Sequence, residues 1–300
     1  MHSEENAARY KLGQRGLYLS VAAYLLLSAG KIGAGYQGGS QSLIADGWNN
    51  ISDVLSSLVI MLGLYIAQKP ADHDHRYGHV RAETAAALIA GFLMAVVGID
   101  VVKDAVGSLF APELKGAPHP LAMYAALAGA VLMYGVYLFN RNIAQRTENA
   151  AVMAAAHDNR SDALVSVGTA IGIGAAQLGW HWADPLLALL IGLIILRTAW
   201  QIGYEAIHTL MDGFDAEKLA KIEAKIAAVE GVRQVLDIRG RHYGRAVHVD
   251  VTIGVDAHLT VMESHALTEK VEAKLIGTDG IERVVIHVEP VADRGVKRHS

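Results

Sequence analysis

The chain has no cysteine among its 300 residues. A disulfide framework, a thiolate zinc site and a cysteine nucleophile are therefore excluded. Charge is scarce too: Asp, Glu, Lys and Arg make up 19% of residues against 52% hydrophobic, and mean hydropathy is +0.28. The scarcity is uneven. Half of the 26 Lys/Arg and half of the 30 Asp/Glu lie in residues 1–211, and the other halves lie in the much shorter stretch 212–300. A single soluble globule is excluded, and a membrane domain over 1–211 followed by a soluble domain over 212–300 is expected. With a net charge of −4 and no basic stripe interleaved with aromatics, no nucleic-acid partner is expected. HExxH is missing, and no nucleophile stands beside a base, so the chain does not read as an enzyme. The opening MHSEENAARYKLGQRG lacks the short apolar core of a signal peptide, so the first hydrophobic segment is expected to stay in the mature chain. Low-complexity tracts and convincing internal repeats are also missing.

A bilayer-spanning helix needs about 20 mainly apolar residues. Six segments meet this: Leu17–Tyr36, Leu43–Ala67, Thr84–Leu109, Leu121–Phe139, Ala151–Leu178 and Pro185–Leu210. The connections near Gly38, Pro112–Pro120 and Trp180–Asp184 hold a single lysine, Lys115, and no arginine. The opposite side carries Lys11, Arg15, Lys69, Arg76, Arg81, Arg141 and Arg146. By the positive-inside rule both termini are expected to be cytoplasmic, with Tyr36, Trp180 and Trp182 in an outer aromatic belt. The remainder has a soluble grammar. Asp215–Val229 reads as an amphipathic helix and Val232–Arg239 as a strand. Ala246–Asp256 alternates, with Val247, Val249, Val251, Ile253 and Val255 on one face. Thr260 and Glu263 form a capping box for a helix carrying Leu267, Val271 and Leu275, and Ile281–Val288 is a last strand. The order αββαβ implies a small α+β domain, ferredoxin-like by analogy. The architecture expected is an α-helical membrane protein of six transmembrane helices followed by that domain.

Ionisable groups inside a bilayer are costly and mark function. The second span contains ADGWNNISD, with Asp46, Asn49, Asn50 and Asp53; the fifth contains AHDNRSDAL, with His157, Asp158, Asn159, Arg160, Ser161 and Asp162. Asp46 and Asn50 are four apart, as are Asp158 and Asp162, and that spacing puts each pair on one helix face. Two such helices facing each other offer four oxygen ligands to one cation. The plainer alternative is helix-to-helix hydrogen bonding, with Arg160 neutralising a carboxylate. His157 and Ser161 form a rival face at the same spacing, and Asp53 reads equally as a gate residue or a helix-end partner.

The run SLIADGWNNISD, the loop PADHDHRYGHVRAE, the run DNRSDAL and the closing IHVEP together resemble the cation diffusion facilitators, over nearly the whole chain. The resemblance implies a homodimeric carrier that exchanges divalent metal for protons in a bacterial inner or plasma membrane, with lipid around its spans and no prosthetic group. It carries the transport site to Asp46, Asn50, Asp158 and Asp162. It carries a loop metal site to Asp72, His75 and His79, and a charged interlock between membrane and cytoplasmic parts to Arg81 and Asp212. His265, His287 and Glu289 match ligands of the family's cytoplasmic metal site. Leu236 and Thr252 stand where further histidines belong, which argues against a tight dinuclear zinc site; His242 and His248 lie nearby.

Zinc-transporting members typically have histidine where this chain has Asp158. Without imidazole the donors are all oxygen, which suits hard ions such as Mn2+. The wording also resembles the manganese-exporting branch of Gram-positive bacteria. Mn2+ is therefore the first cargo expected; Zn2+, Fe2+ or Co2+ by the same mechanism is the alternative, and a membrane metal sensor or scaffold without transport is the more distant one. Three carboxylates around one cavity repel, so without metal at least one is expected to hold a proton, which metal then displaces.

Overall fold

The computed structural model describes residues 2–110, 117–147, 150–244 and 246–291. The Lys115 connection, the basic end after Val291 and the side chains of Lys11 and Arg15 lie outside the described residues. Six long helices follow the six expected spans: α1 (His2–Gly38), α2 (Gln41–Ala67), α3 (Arg81–Phe110), α4 (Pro120–Thr147), α5 (Ala150–Gln177) and α6 (Ala183–Leu210). Five of them are long and apolar enough to cross a membrane; α5 has the length, 28 residues, but not the hydropathy. The reason is local, because His157–Asp162 puts six polar residues in succession into that helix. Large apolar side chains such as Leu26, Phe92, Val131 and Trp200 are exposed on the helices. Lipid, not water, is the solvent that such a surface suits.

The chain forms two compact units, Met1–Met61 with Ile89–Gly203 and Leu62–Leu88 with Tyr204–Ser300. In the first, α1 and α2 approach closely. A Cβ on Gly47 would lie 2.6 Å from the Ile32 side chain, so only glycine admits this crossing beside Asp46. The start of α2 is held from α6. Asp184, buried, accepts from Ser40 Oγ at 2.7 Å, from the Gln41 backbone N–H at 2.7 Å and from Ser42 Oγ. A carboxylate on the free N–H groups of a helix start satisfies donors that have no partner within the helix. It fixes α2 one turn before Asp46.

The second unit contains α7 (Ala216–Ala227), β1 (Gln234–Tyr243), β2 (Ala246–Asp256), α8 (Val261–Leu275) and β3 (Ile281–Val291). The sheet order is β1-β2-β3, with β1 and β2 antiparallel and β2 and β3 parallel. Val247, Val249, Val251, Ile253 and Val255 of β2 all join one core with Ile222 and Ile226 of α7 and Leu267, Val271 and Leu275 of α8. Both helices therefore cover the same sheet face, and each buried Val, Ile or Leu contributes about 1.5–3 kcal/mol. Asp215 caps α7 through the Lys218 backbone N–H, and the Thr260–Glu263 capping box is formed at α8. The strand β1 runs four residues beyond the expected end at Arg239. Gly240 does not stop it: a Cβ there would lie 2.8 Å from the Phe214 ring, so this glycine makes room for an aromatic.

Candidate functional site

On α5 one face is polar and buried. Asn159, Asp162, Ser166 and Thr169, spaced by three and four, are all covered by protein. Asp158, His157, Arg160 and Ser161 are exposed. His157 and Arg160 line a different cavity, with Tyr134, Tyr137 and Arg141. The rival His157/Ser161 face therefore points away from the buried polar stripe; the Ser161 hydroxyl donates only to the His157 carbonyl, at 3.2 Å.

Asp162 accepts from the Tyr24 hydroxyl at 2.6 Å and from Asn49 Nδ2 at 3.2 Å. Behind it, Asn159 donates to Tyr24 Oη at 3.1 Å and accepts from Ser20 Oγ at 3.1 Å and Asn140 Nδ2 at 2.9 Å. This network ties α1, α4 and α5 together around one carboxylate. Asn49 also reaches Asp53 at 3.4 Å, and Asp53 interacts electrostatically with Asp162, Asp158, Asp46 and Lys31. Four acids and one lysine thus share one field.

Asp46 and Asn50 are fully buried, one turn apart on α2. Asp46 receives the Lys31 ammonium at 2.9 Å on one oxygen and the Ser166 hydroxyl at 2.9 Å on the other. Asn50 is the opposite case: neither its amide oxygen nor its nitrogen has a hydrogen-bond partner. A buried amide left without partners costs about 1–3 kcal/mol, so Asn50 calls for a contact that the protein itself does not supply. Its carbonyl oxygen is a hard donor of the kind that hard divalent cations take.

The expected transport residues are thus found on facing helices but not as a closed chelate. Among the described residues the one group of three His, Asp or Glu whose donor atoms lie within 4.8 Å of one another is Asp72, His75 and His79. In that loop Asp72 lies 3.2 Å from His75 Nδ1 and 3.4 Å from His79 Nε2, and the two imidazoles are 4.4 Å apart. The backbone N–H of His75, at 2.7 Å, holds the Asp72 carboxyl below the usual range. His79 Nδ1 is buried without a partner.

Arg81, at the start of α3, donates to Asp212 at 2.8 Å. Asp212 has φ of 59°, a left-handed conformation that aspartate tolerates better than most residues. The cytoplasmic candidates separate. His287 and Glu289 share a face of β3, 3.6 Å apart, while His265 on α8 pairs with Glu269 at 3.6 Å. His248 is half-buried and stacks on Tyr243 at 5.1 Å. His242 packs on Phe214. Burial, then neighbouring cations, pushes both imidazoles below the ordinary value.

Sequence reasoning passed over Lys31, Tyr24, Ser166 and Asn140. The signal for Lys31 was present, an ammonium inside an apolar run. The others are polar residues that any bundle carries, and only the packing gathers them.

Comparison with known proteins bears on both units. Residues 17–211 match the family model of the cation efflux transmembrane domain, and residues 214–291 match that of the cation efflux protein cytoplasmic domain. The chain is 44% identical over 284 residues to the manganese efflux system protein MneS of Bacillus subtilis, covering 95% of this chain and 98% of that one. It is 41% identical to the uncharacterized transporter YdbO of the same organism, over 95% and 98% of the two chains. The magnetosome protein MamM of Magnetospirillum gryphiswaldense is 30% identical over 87% of this chain and 82% of its own. With its six helices, its buried intramembrane acids and matches along nearly its whole length, the chain belongs to the cation efflux family of membrane metal transporters, the cation diffusion facilitators.

Proposed function

We propose that this protein exports Mn2+ from the bacterial cytoplasm in exchange for protons, through Asp46, Asn50, Asp158 and Asp162. The observation that carries the reading is the donor chemistry. Asp46, Asn50 and Asp162 offer only oxygen from buried positions, and the exposed His157 of α5 lies off their face. Oxygen-only sites suit Mn2+, whereas nitrogen donors favour ions higher in the Irving–Williams order. The unpartnered Asn50 supports a ligand role, and so does the manganese efflux assignment carried by a 44% identical relative.

The proposed cycle uses these groups in turn. Facing the cytoplasm, Mn2+ takes Asp46, Asn50, Asp158 and Asp162 and displaces the protons that keep neighbouring carboxylates from repelling. Facing outward, protons return as metal leaves, and alternating access carries the site across. The protein works as a homodimer through its α+β domain, with both termini cytoplasmic. Asp72, His75 and His79 form a regulatory or delivery site on the cytoplasmic side, and the Arg81–Asp212 pair acts as the interlock. An exposed pair is worth only about 0–1 kcal/mol, so its effect comes from its place at the hinge. The His265, His287 and Glu289 set is the weakest metal candidate, because His265 is engaged elsewhere.

The test is uptake into proteoliposomes with Mn2+, Zn2+, Fe2+ and Co2+ offered singly and in competition, with and without an imposed pH gradient. Mn2+ is expected to be preferred, and its flux to follow the gradient. Flux indifferent to the gradient would refute the antiport, and a preference for Zn2+ would refute the oxygen-donor assignment.

A further inference from the structure

Among the described residues Lys31 is the largest fully buried side chain, with 1% of its surface exposed, and it sits among three transmembrane helices. Its Nζ donates at 2.9 Å to Asp46 Oδ1 and at 2.9 Å to Ser166 Oγ, and Ser166 donates at 2.9 Å to Asp46 Oδ2. The ammonium, the carboxylate and the hydroxyl close a ring between α1, α2 and α5. A fourth helix makes room for the lysine stem: a Cβ on Gly129 of α4 would lie 2.9 Å from Lys31 Cε. A charged lysine away from water is tolerated only when it is paired. Here the partner is one of the four proposed cargo ligands, so the position a divalent cation needs on Asp46 is taken by a cation the protein carries itself.

We infer that Lys31 is a tethered counter-cation for Asp46, which the metal must displace in order to load. In the empty carrier the ammonium neutralises Asp46, so the buried site crosses between its two facing states without a bare carboxylate. When metal arrives, Asp46 exchanges ammonium for metal, and when metal leaves, the ammonium returns. One cation replaces another on Asp46, and the displaced ammonium keeps Ser166 Oγ as its partner. A site with an internal competitor binds its cargo less tightly than its ligands alone would, which suits a carrier that has to let go. The inference rests on the reading of Asp46 as a cargo ligand.

The test is equilibrium binding of Mn2+ to the full-length protein in nanodiscs, for wild type, Lys31→Gln, Lys31→Arg and Asp162→Ala. Glutamine keeps an N–H donor for Asp46 and Ser166 but removes the charge. Lys31→Gln is expected to bind Mn2+ at least about tenfold more tightly, the scale of a close charge pair, while turnover in proteoliposomes falls. Lys31→Arg is expected to restore weak binding. Affinity unchanged or weakened in an assembled Lys31→Gln protein would make Lys31 a structural clip and overturn the inference. A measurement on wild type needs no variant to fold. With 15N on lysine Nζ, the resonance absent from Lys31→Arg is expected to shift when diamagnetic Cd2+ is bound, and an unmoved resonance would overturn the inference equally. If wild type binds Mn2+ no better than Asp162→Ala, the cargo site is elsewhere and both readings fall. If that difference is present and Lys31→Gln has no effect, only the present inference falls.

Discussion

Asp72, His75 and His79 stand ready in an exposed loop, their donor atoms within 4.8 Å of one another, whereas Asp46 and Asp162 in the membrane helices are already engaged by the protein. Asp46 holds Lys31 and Ser166, and Asp162 holds Tyr24 and Asn49. The loop needs almost no rearrangement to bind a cation. On the proposed reading, the membrane set has to give up internal hydrogen bonds before it holds a cation. A preassembled triad suits retention or sensing. A site that trades protein partners for cargo couples occupancy to conformation, because a ligand shifts an equilibrium only through contacts that differ between its states.

The strongest way to break this contrast is to give the membrane site a loop-like donor. Asp158→His adds an imidazole near Asp162 and is expected to shift competition uptake from Mn2+ toward Zn2+ by on the order of tenfold. An unchanged ion preference would remove Asp158 from the ligand set. A milder change sharpens the contrast. Tyr24→Phe removes the hydroxyl that donates to Asp162 at 2.6 Å; by taking away a competing partner it is expected to raise Mn2+ affinity by roughly threefold to tenfold, the net worth of an ordinary hydrogen bond. Isothermal titration on the nanodisc protein reads this. The smallest effect on transport is expected from the loop. His79→Ala should lose one bound metal per chain in equilibrium dialysis while flux changes by less than about threefold, the worth of under 1 kcal/mol. That metal should also be shed as pH falls. Protonated imidazoles cannot coordinate, whereas the His75 backbone N–H keeps the Asp72 carboxyl ionised further into acid.

Much of this was legible from residue order. The strand β2 was readable to the residue, because Val247 to Val255 alternate without a break, and the capping box at Thr260 is a local signature that needs no tertiary context. The strand β1 was read too short, because Gly240 looks like a terminator until Phe214 is seen packed on it. At the proposed site, the i, i+4 spacing paired Asp46 with Asn50 and Asp158 with Asp162. Spacing alone could not tell that Asp158 is exposed and Asp162 buried, since that depends on which helix covers which face. Lys31 escaped for a related reason. Only the α1–α2 crossing at Gly47 brings it against Asp46.

The most direct measurement is Mn2+ flux into proteoliposomes for Asp162→Ala beside the combined loop variant Asp72→Ala/His75→Ala/His79→Ala, each checked as an assembled dimer. The expected result is loss of flux, at least about a hundredfold, in Asp162→Ala, from removing a charged group whose buried partners are then left unpaired, with most of the flux kept in the loop variant. Flux that survives Asp162→Ala and disappears with the loop would contradict the account, and would move the transport site from the membrane helices to Asp72, His75 and His79.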